Sequence, residues 1–350
     1  MPLANRKLNP EAEQLYKVIN GQVPDWVPRY GLIGPSNPYS TTPANERGLW
    51  STVLPPRTAT EDGKFVDYWG VTYVPEHTIS DAALPEPDNF ILDDIANWPD
   101  IIKAPDLSNV DWEIACKKDL EAAGDISEFV VSMGGGGGFF LPLMNFMGFT
   151  NGLIAMYEEP DLVHELFTYL ADFYCSMLDQ QWKYWGDIID MGGIGDDAAT
   201  AANPFISPLM FREMVKPYHA RLTKYAQERG LPVNMHCCGR CEDFIPDWVD
   251  YGVSVWNPAQ VDNDLDGIKA KYGRSLALAG CWDSSGPAGW PDAPEELVRE
   301  AVRETINRFG KDGGFLFYGS SYGTPGEEGA ENKKRWITQA YEEFRAEPYK

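Results

Sequence analysis

The stretch PVNMHCCGRCEDFIPDWVDYGVSVWNP, Pro232 to Pro258, reads as a strand, a helix and a second strand. PVNMHC is a short apolar run bounded by a proline and ending in sulfur. CEDFIPDWVDYG carries helical spacing and stops at Gly252, and VSVWNP is β-branched and aromatic up to its proline. A strand–helix–strand unit is the crossover that parallel neighbours require, since a hairpin turn cannot connect them.

The same unit recurs on both sides. Upstream, EFVVSMG is a strand, PDLVHELFTYLADFYCSMLDQQWKYW a long helix opened by Pro160, and GDIIDMGGIGDD a strand running into a loop. SPLMFREMVKPYHARLTKYAQERG follows as a helix with a kink expected at Pro217. Downstream come helix LDGIKAKYG, strand SLALAGC, helix PEELVREAVRETINRFG, strand GGFLFYG and helix NKKRWITQAYEEFRAE. Such alternation implies a parallel sheet with helices outside it. No GxGxxG fingerprint follows a strand, and the run Gly134 to Gly138 is read as lacking the helix that fingerprint needs. The expected fold is therefore α/β, a (β/α)8 TIM barrel with an N-terminal extension. Residues 111–350 are assigned to the barrel. Residues 1–110, rich in Pro, Asn and Asp after a first helix capped by Asn9 and Pro10, are assigned to an extension wrapping it.

Composition narrows the function. A net charge of −24 over 350 residues argues against nucleic acid, whose phosphates need clustered cations. No apolar stretch is long enough to span a membrane and the N-terminus has no signal-like apolar region, so a cytoplasmic location with no membrane contact is expected. Four of the six cysteines lie between Cys237 and Cys281, unlike the framework of a secreted disulfide protein.

Barrel active sites gather at the C-terminal ends of the strands. Alternation puts Asn234, His236 and Cys238 on one face of their strand, and Ala277, Ala279 and Cys281 together on theirs. Two thiols and an imidazole suit Zn2+ with one open position, so His236, Cys238 and Cys281 are the candidate metal ligands, with Cys237 and Cys241 as bystanders. A small zinc knuckle built on Cys238, Cys241 and His236 is the competing reading, and it lacks a second C-x2-C pair. Asp196 and Asp197 end another strand and are candidate catalytic carboxylates, although adjacent acids in a loop also serve as helix caps. Asn234, Trp282, Tyr318 and Tyr322 are candidate substrate contacts, while His164 and His219 fall on helices and read as packing.

These stretches, with DYWGVTY, ILDDIANWPD, GDDAATAANPFISPLMFREMVKPYHARL and GGFLFYGSS, resemble the uroporphyrinogen decarboxylase superfamily, and more narrowly its cobalamin-dependent methyltransferases, over roughly Val23 to Phe344. In that branch the H-x-C step supplies two zinc ligands and a later cysteine the third. Carried over, these are His236, Cys238 and Cys281. The chain departs from the branch where the later cysteine usually lies, having Gly319, Ser320 and Ser321 there, so either aspartate could complete the site instead. It departs from the decarboxylase in offering only Arg29 where an arginine motif would stand.

The resemblance implies zinc-dependent transfer of a methyl group from a small methylated substrate to a Co(I) corrinoid. No histidine has an aspartate two places earlier, so the D-x-H-x-x-G corrinoid motif is absent and a separate corrinoid-binding protein is the expected partner. Twelve tryptophans and seventeen tyrosines favour a methoxylated aromatic and hence O-demethylation. The alternatives are methyl transfer from a methylcorrinoid to a thiol or folate, and a metal-free tetrapyrrole protein. The sequence leaves the oligomeric state open, a homodimer included.

Overall fold

The structure, a computed structural model, describes residues 6–30, 45–76, 82–134, 137–290, 292–319 and 327–350. Helix α1 (Pro10–Ile19) is followed by β1 (Glu46–Leu49) and by a small antiparallel sheet of β2 (Thr58–Ala59), β3 (Phe65–Val66), β4 (Thr72–Glu76) and β5 (Ala82–Pro85). Helices α2 (Trp98–Ile101) and α3 (Trp112–Ala123) lead to β6 (Val130–Gly134), α4 (Phe140–Glu158), α5 (Pro160–Trp185) and β7 (Met191–Gly195). Then come α6 (Pro208–Met214), α7 (Lys216–Gln227), β8 (Val233–His236), α8 (Ile245–Asp250), β9 (Val253–Ala259) and α9 (Leu265–Tyr272). The chain ends through β10 (Ala277–Gly280), α10 (Glu295–Gly310), β11 (Phe315–Phe317) and α11 (Glu328–Phe344).

Seven strands form one parallel sheet in the order β1-β6-β7-β8-β9-β10-β11. Its two ends meet across the stretch Val27–Tyr30. The Tyr30 amide donates to Phe317 O and the Phe317 amide to Pro28 O, both at 2.9 Å, while Asn45, just ahead of β1, donates from its side chain to Arg29 O. This stretch is the eighth stave and closes the sheet into a barrel. The barrel therefore starts well before residue 111. Two of its staves come from the segment read as an extension, whose short strands lack the long amphipathic helices that mark the later repeats.

Alternation along the strands separates two cores. Leu49, Val131, Met133, Ile194, Met235, Leu278 and Phe315 face outward and pack against the helices. Tyr30, Val130, Met191, Val255, Ala277, Ala279 and Leu316 face inward. At the N-terminal end of the barrel the inner set is sealed by Ala12, Leu15, Val18 and Ile19 of α1. Asn9 starts that helix by accepting from Ala12 N at 2.9 Å, and Pro10 supplies the fixed φ of its first turn. A buried Arg6–Asp190 ion pair at 2.5 Å fastens the preceding residues to the foot of β7. Among the described residues that end is filled, which leaves the C-terminal end of the barrel for ligands.

Two further findings refine the sequence reading. The helix expected to kink at Pro217 breaks at Val215, separating α6 from α7. The glycine run is followed by a helix after all: α4 starts at Phe140. Gly148 sits inside it at φ 76°, so two helical pieces meet there. No helix of the described residues is long and apolar enough to cross a membrane.

Candidate metal centre

Strand β8 delivers the central residue. Val233 and Met235 face the outer core, which turns Asn234 and His236 into the barrel. His236 Nδ1 lies 2.8 Å from Asn257 Oδ1 near the end of β9. The Asn257 amide can face only one way, because its Nδ2 donates to the Met235 carbonyl at 3.3 Å and to Asn234 Oδ1 at 2.7 Å. Asn234 in turn donates to the Tyr30 hydroxyl at 2.9 Å. Nδ1 must therefore carry the proton, which leaves the lone pair on Nε2. A polar chain running from Tyr30 across the lumen thus fixes the tautomer and the aim of the imidazole, the arrangement that orients metal-binding histidines elsewhere.

That lone pair meets two other donors. Nε2 lies 3.7 Å from Cys238 Sγ and 3.9 Å from Asp197 Oδ1, and one ligand atom from each of the three residues falls within 4.8 Å of the others. Asp197 Oδ1 also accepts from the Cys238 amide at 2.7 Å, which ties the β7 loop to the β8 loop. The His236 side chain is half exposed and that of Asp197 about a third, so solvent reaches the cluster. A tetrahedral zinc with ordinary bond lengths sets its donors about 3.5 Å apart, so the observed separations suit such an ion with little movement. The thiol of Cys238 is pushed up to about 12 by burial and then by the neighbouring Asp197 carboxylate. Ligation would have to expel that proton, as at any thiolate site.

The other predicted residues divide clearly. Asp196, next to Asp197, points to the opposite side of β7. It is 4% exposed, and its carboxylate accepts from the amides of Phe139, Phe140 and Leu141 at 2.8–2.9 Å and contacts His219 Nε2 at 3.0 Å. It caps α4 and cannot act at the mouth. A Cβ on Gly138 would run into this carboxylate, which explains the glycine before the helix. His219, read as packing, is a buried hub that also bonds Tyr251 at 3.0 Å.

Cys281 also leaves the mouth. Strand β10 ends at Gly280, and Cys281 adopts φ 59°, so the alternation that grouped it with Ala277 and Ala279 stops one residue short. Its thiol joins the outer core and lines a groove of about 880 Å³ between α9 and α10, with Trp282 and Arg308. Burial raises its pKa well above that of a free thiol. Trp282 is 6% exposed and meets Phe317 edge-on, so it too is outside the mouth. Tyr318 stays at the rim, 40% exposed and edge-to-face with Tyr30 at 6.3 Å. Tyr322, with Ser320 and Ser321, lies outside the described residues. Cys237 and Cys241 are buried in the outer core. Replacing Cys281 with serine should consequently leave metal stoichiometry within about 10% of wild type by atomic absorption, whereas a full loss would place its thiol among the ligands.

Sequence reasoning missed Tyr30 and Asn257. The clue for Asn257 was available, since it lies near the end of a strand beside β8, but its partner His236 is identifiable only through the register that pairs the two.

Comparison with known proteins agrees with this architecture. Across 95% of this chain and 98% of the other, the fold matches a methyltransferase from Methanosarcina mazei with TM-score 0.62 at 16% identity. Dispersin B matches more distantly, with TM-score 0.34 at 12% identity over 99% of this chain and 97% of the other. No curated protein matches significantly. Residues 120–342 match the family described as uroporphyrinogen decarboxylase (URO-D), and since that span covers well over half of the 350 residues, the chain belongs to the uroporphyrinogen decarboxylase family.

Proposed function

We propose that the protein is a zinc-dependent methyltransferase that moves a methyl group from a methoxylated aromatic to the Co(I) corrinoid of a separate protein. The observation carrying this reading is the convergence of Asp197, His236 and Cys238 at strand ends of the barrel, with the His236 side chain half exposed. These three would hold the ion, with Asp197 standing where Cys281 was expected. Zinc bound there with a free position supplies a Lewis acid for the oxygen that must leave as phenoxide. The fold shared with a protein described as a methyltransferase supports methyl transfer as the reaction.

The protein's own groups do the remaining work. The Asn257–Asn234–Tyr30 chain keeps the His236 lone pair turned toward Cys238 and Asp197, so the imidazole needs no reorganisation. Tyr30, Tyr318 and the half-exposed Trp50 at the end of β1 offer aromatic faces for a flat substrate. Gly193 and Gly195 leave the β7 wall bare beside His236, where an added Cβ would meet nothing nearer than 3.4 Å. The net charge of −24 suits a partner with a basic docking face.

Purified protein, a reduced corrinoid protein and a methoxyphenol should together develop the methylcobalamin absorption spectrum, and purified protein should carry close to one equivalent of zinc. Zinc below about a tenth of an equivalent ends the metal reading. Demethylation of methylcobalamin by a thiol, with no reaction of any methyl ether, reverses the direction of transfer.

A further inference from the structure

Glu46 opens β1 on the side opposite Arg47 and Leu49. Leu49 belongs to the outer core, so Glu46 faces the lumen. It is 1% exposed, is hydrogen-bonded to Ser132 of β6, and lies close enough to Tyr30 to perturb its hydroxyl. Its Oε2 has no hydrogen-bond partner among the described residues. An unpaired carboxyl oxygen in a barrel interior is costly, and a fold with no use for it would gain by replacing it. The wall next to it is bare. Gly134 stands two residues beyond Ser132 on β6, and a Cβ there would lie 2.7 Å from the Trp50 ring, so only glycine lets that indole cover the wall. Gly193 and Gly195 continue the bare surface along β7 to His236. An acceptor at the base, an indole over Gly134 and side-chain-free positions on β7 line one path from Glu46 to the candidate ligands.

We propose that Glu46 reads the substrate, its unpaired oxygen pairing with a free hydroxyl on the methylated ring, so that the substrates are methoxyphenols rather than methyl ethers lacking a hydroxyl. This rests on reading the mouth as the methyl-donor site. Burial raises the Glu46 carboxyl to about 7, so it is present both ionised and protonated near neutrality. A hydroxyl can donate to the first form and accept from the second, whereas an ammonium could pair only with the ionised form.

Calorimetric titration of the purified protein, without corrinoid, with 2-, 3- and 4-methoxyphenol and with methoxybenzene tests the idea. At least one methoxyphenol should bind about tenfold or more tighter than methoxybenzene, as expected for one hydrogen bond to a carboxyl group, and Glu46→Leu should bring the ratio below about twofold. Equal affinities in the wild type, no binding of any methoxyphenol, or an undiminished ratio in the variant would overturn the proposal. Melting at pH 8, where the wild-type carboxyl is largely charged, gives a second reading. Glu46→Gln and Glu46→Leu should melt at or above wild type, and if both melt lower, Glu46 serves the fold and the proposal fails. Hydroxyl-dependent binding with no methyl reaching cobalt would remove the proposed reaction while leaving the role of Glu46 intact.

Discussion

His236→Ala should leave the protein folded and empty of zinc. The metal content is expected to fall from about one equivalent to below a tenth, and methyl transfer by at least about a thousandfold, because a catalytic zinc site rarely keeps its ion on two protein ligands. The melting temperature should move little, since the side chain is half exposed and makes its one strong hydrogen bond to Asn257. Asn257→Leu touches no ligand atom yet should weaken zinc binding by about 10- to 100-fold in a chelator competition, because the imidazole would lose the acceptor that fixes its tautomer. The order of the two variants matters as much as their size. If Asn257→Leu bound zinc as tightly as wild type while His236→Ala did not, the polar chain through Asn234 and Tyr30 would be packing alone. If both retained zinc, the convergence of donors at the mouth would have no chemical meaning.

Much of the barrel could be read from the sequence, for a definite reason. Strands buried on both faces appear as continuous apolar runs broken by Gly and Pro, and β6 through β11 have this form between helices with a clear polar face. Helix α4 escaped because it has no polar face to reveal its period, and because Pro142 and Gly148 look like breakers. Pro142 falls in the first turn, where a missing amide costs nothing, and Gly148 is a true irregularity inside the helix. The stave at Val27–Tyr30 could not be inferred either, since four residues carry no periodicity and their partners in β11 lie almost 300 positions away.

The site divides along the same line. Asn234 and His236 follow the two-residue period of β8, so their shared face was legible. Cys281 failed because the period holds only while the backbone stays extended, and the positive φ of Gly280 and Cys281 ends it. The Asp196–Asp197 pair held the same information unused. With Gly193 and Gly195 facing the lumen, parity assigns Asp197 inward and Asp196 outward. Partners that meet through tertiary structure alone, such as Tyr30 with Asn234 or Asp196 with His219, leave no local trace.

These neighbouring aspartates should respond to mutation in opposite ways. Asp196→Ala removes the acceptor for three amides at the start of α4 and for His219, all in a setting 4% exposed. Stripping the partner from several buried donors costs about 3–5 kcal/mol, enough to lower the melting temperature by roughly 4–7 °C in a chain of this size. Asp196→Asn should recover part of the loss, since an amide oxygen still accepts, though with less charge to satisfy the helix N-terminus. Asp197→Ala removes a carboxylate that is a third exposed and whose one backbone partner is the Cys238 amide, so the melting temperature should stay within about 2 °C while zinc affinity falls by at least about tenfold. Differential scanning calorimetry and a chelator competition on the same samples separate the two effects. Were Asp197→Ala the less stable variant, or were Asp196→Ala to lose zinc at full stability, the two carboxylates would have exchanged the roles that their strand parity assigns.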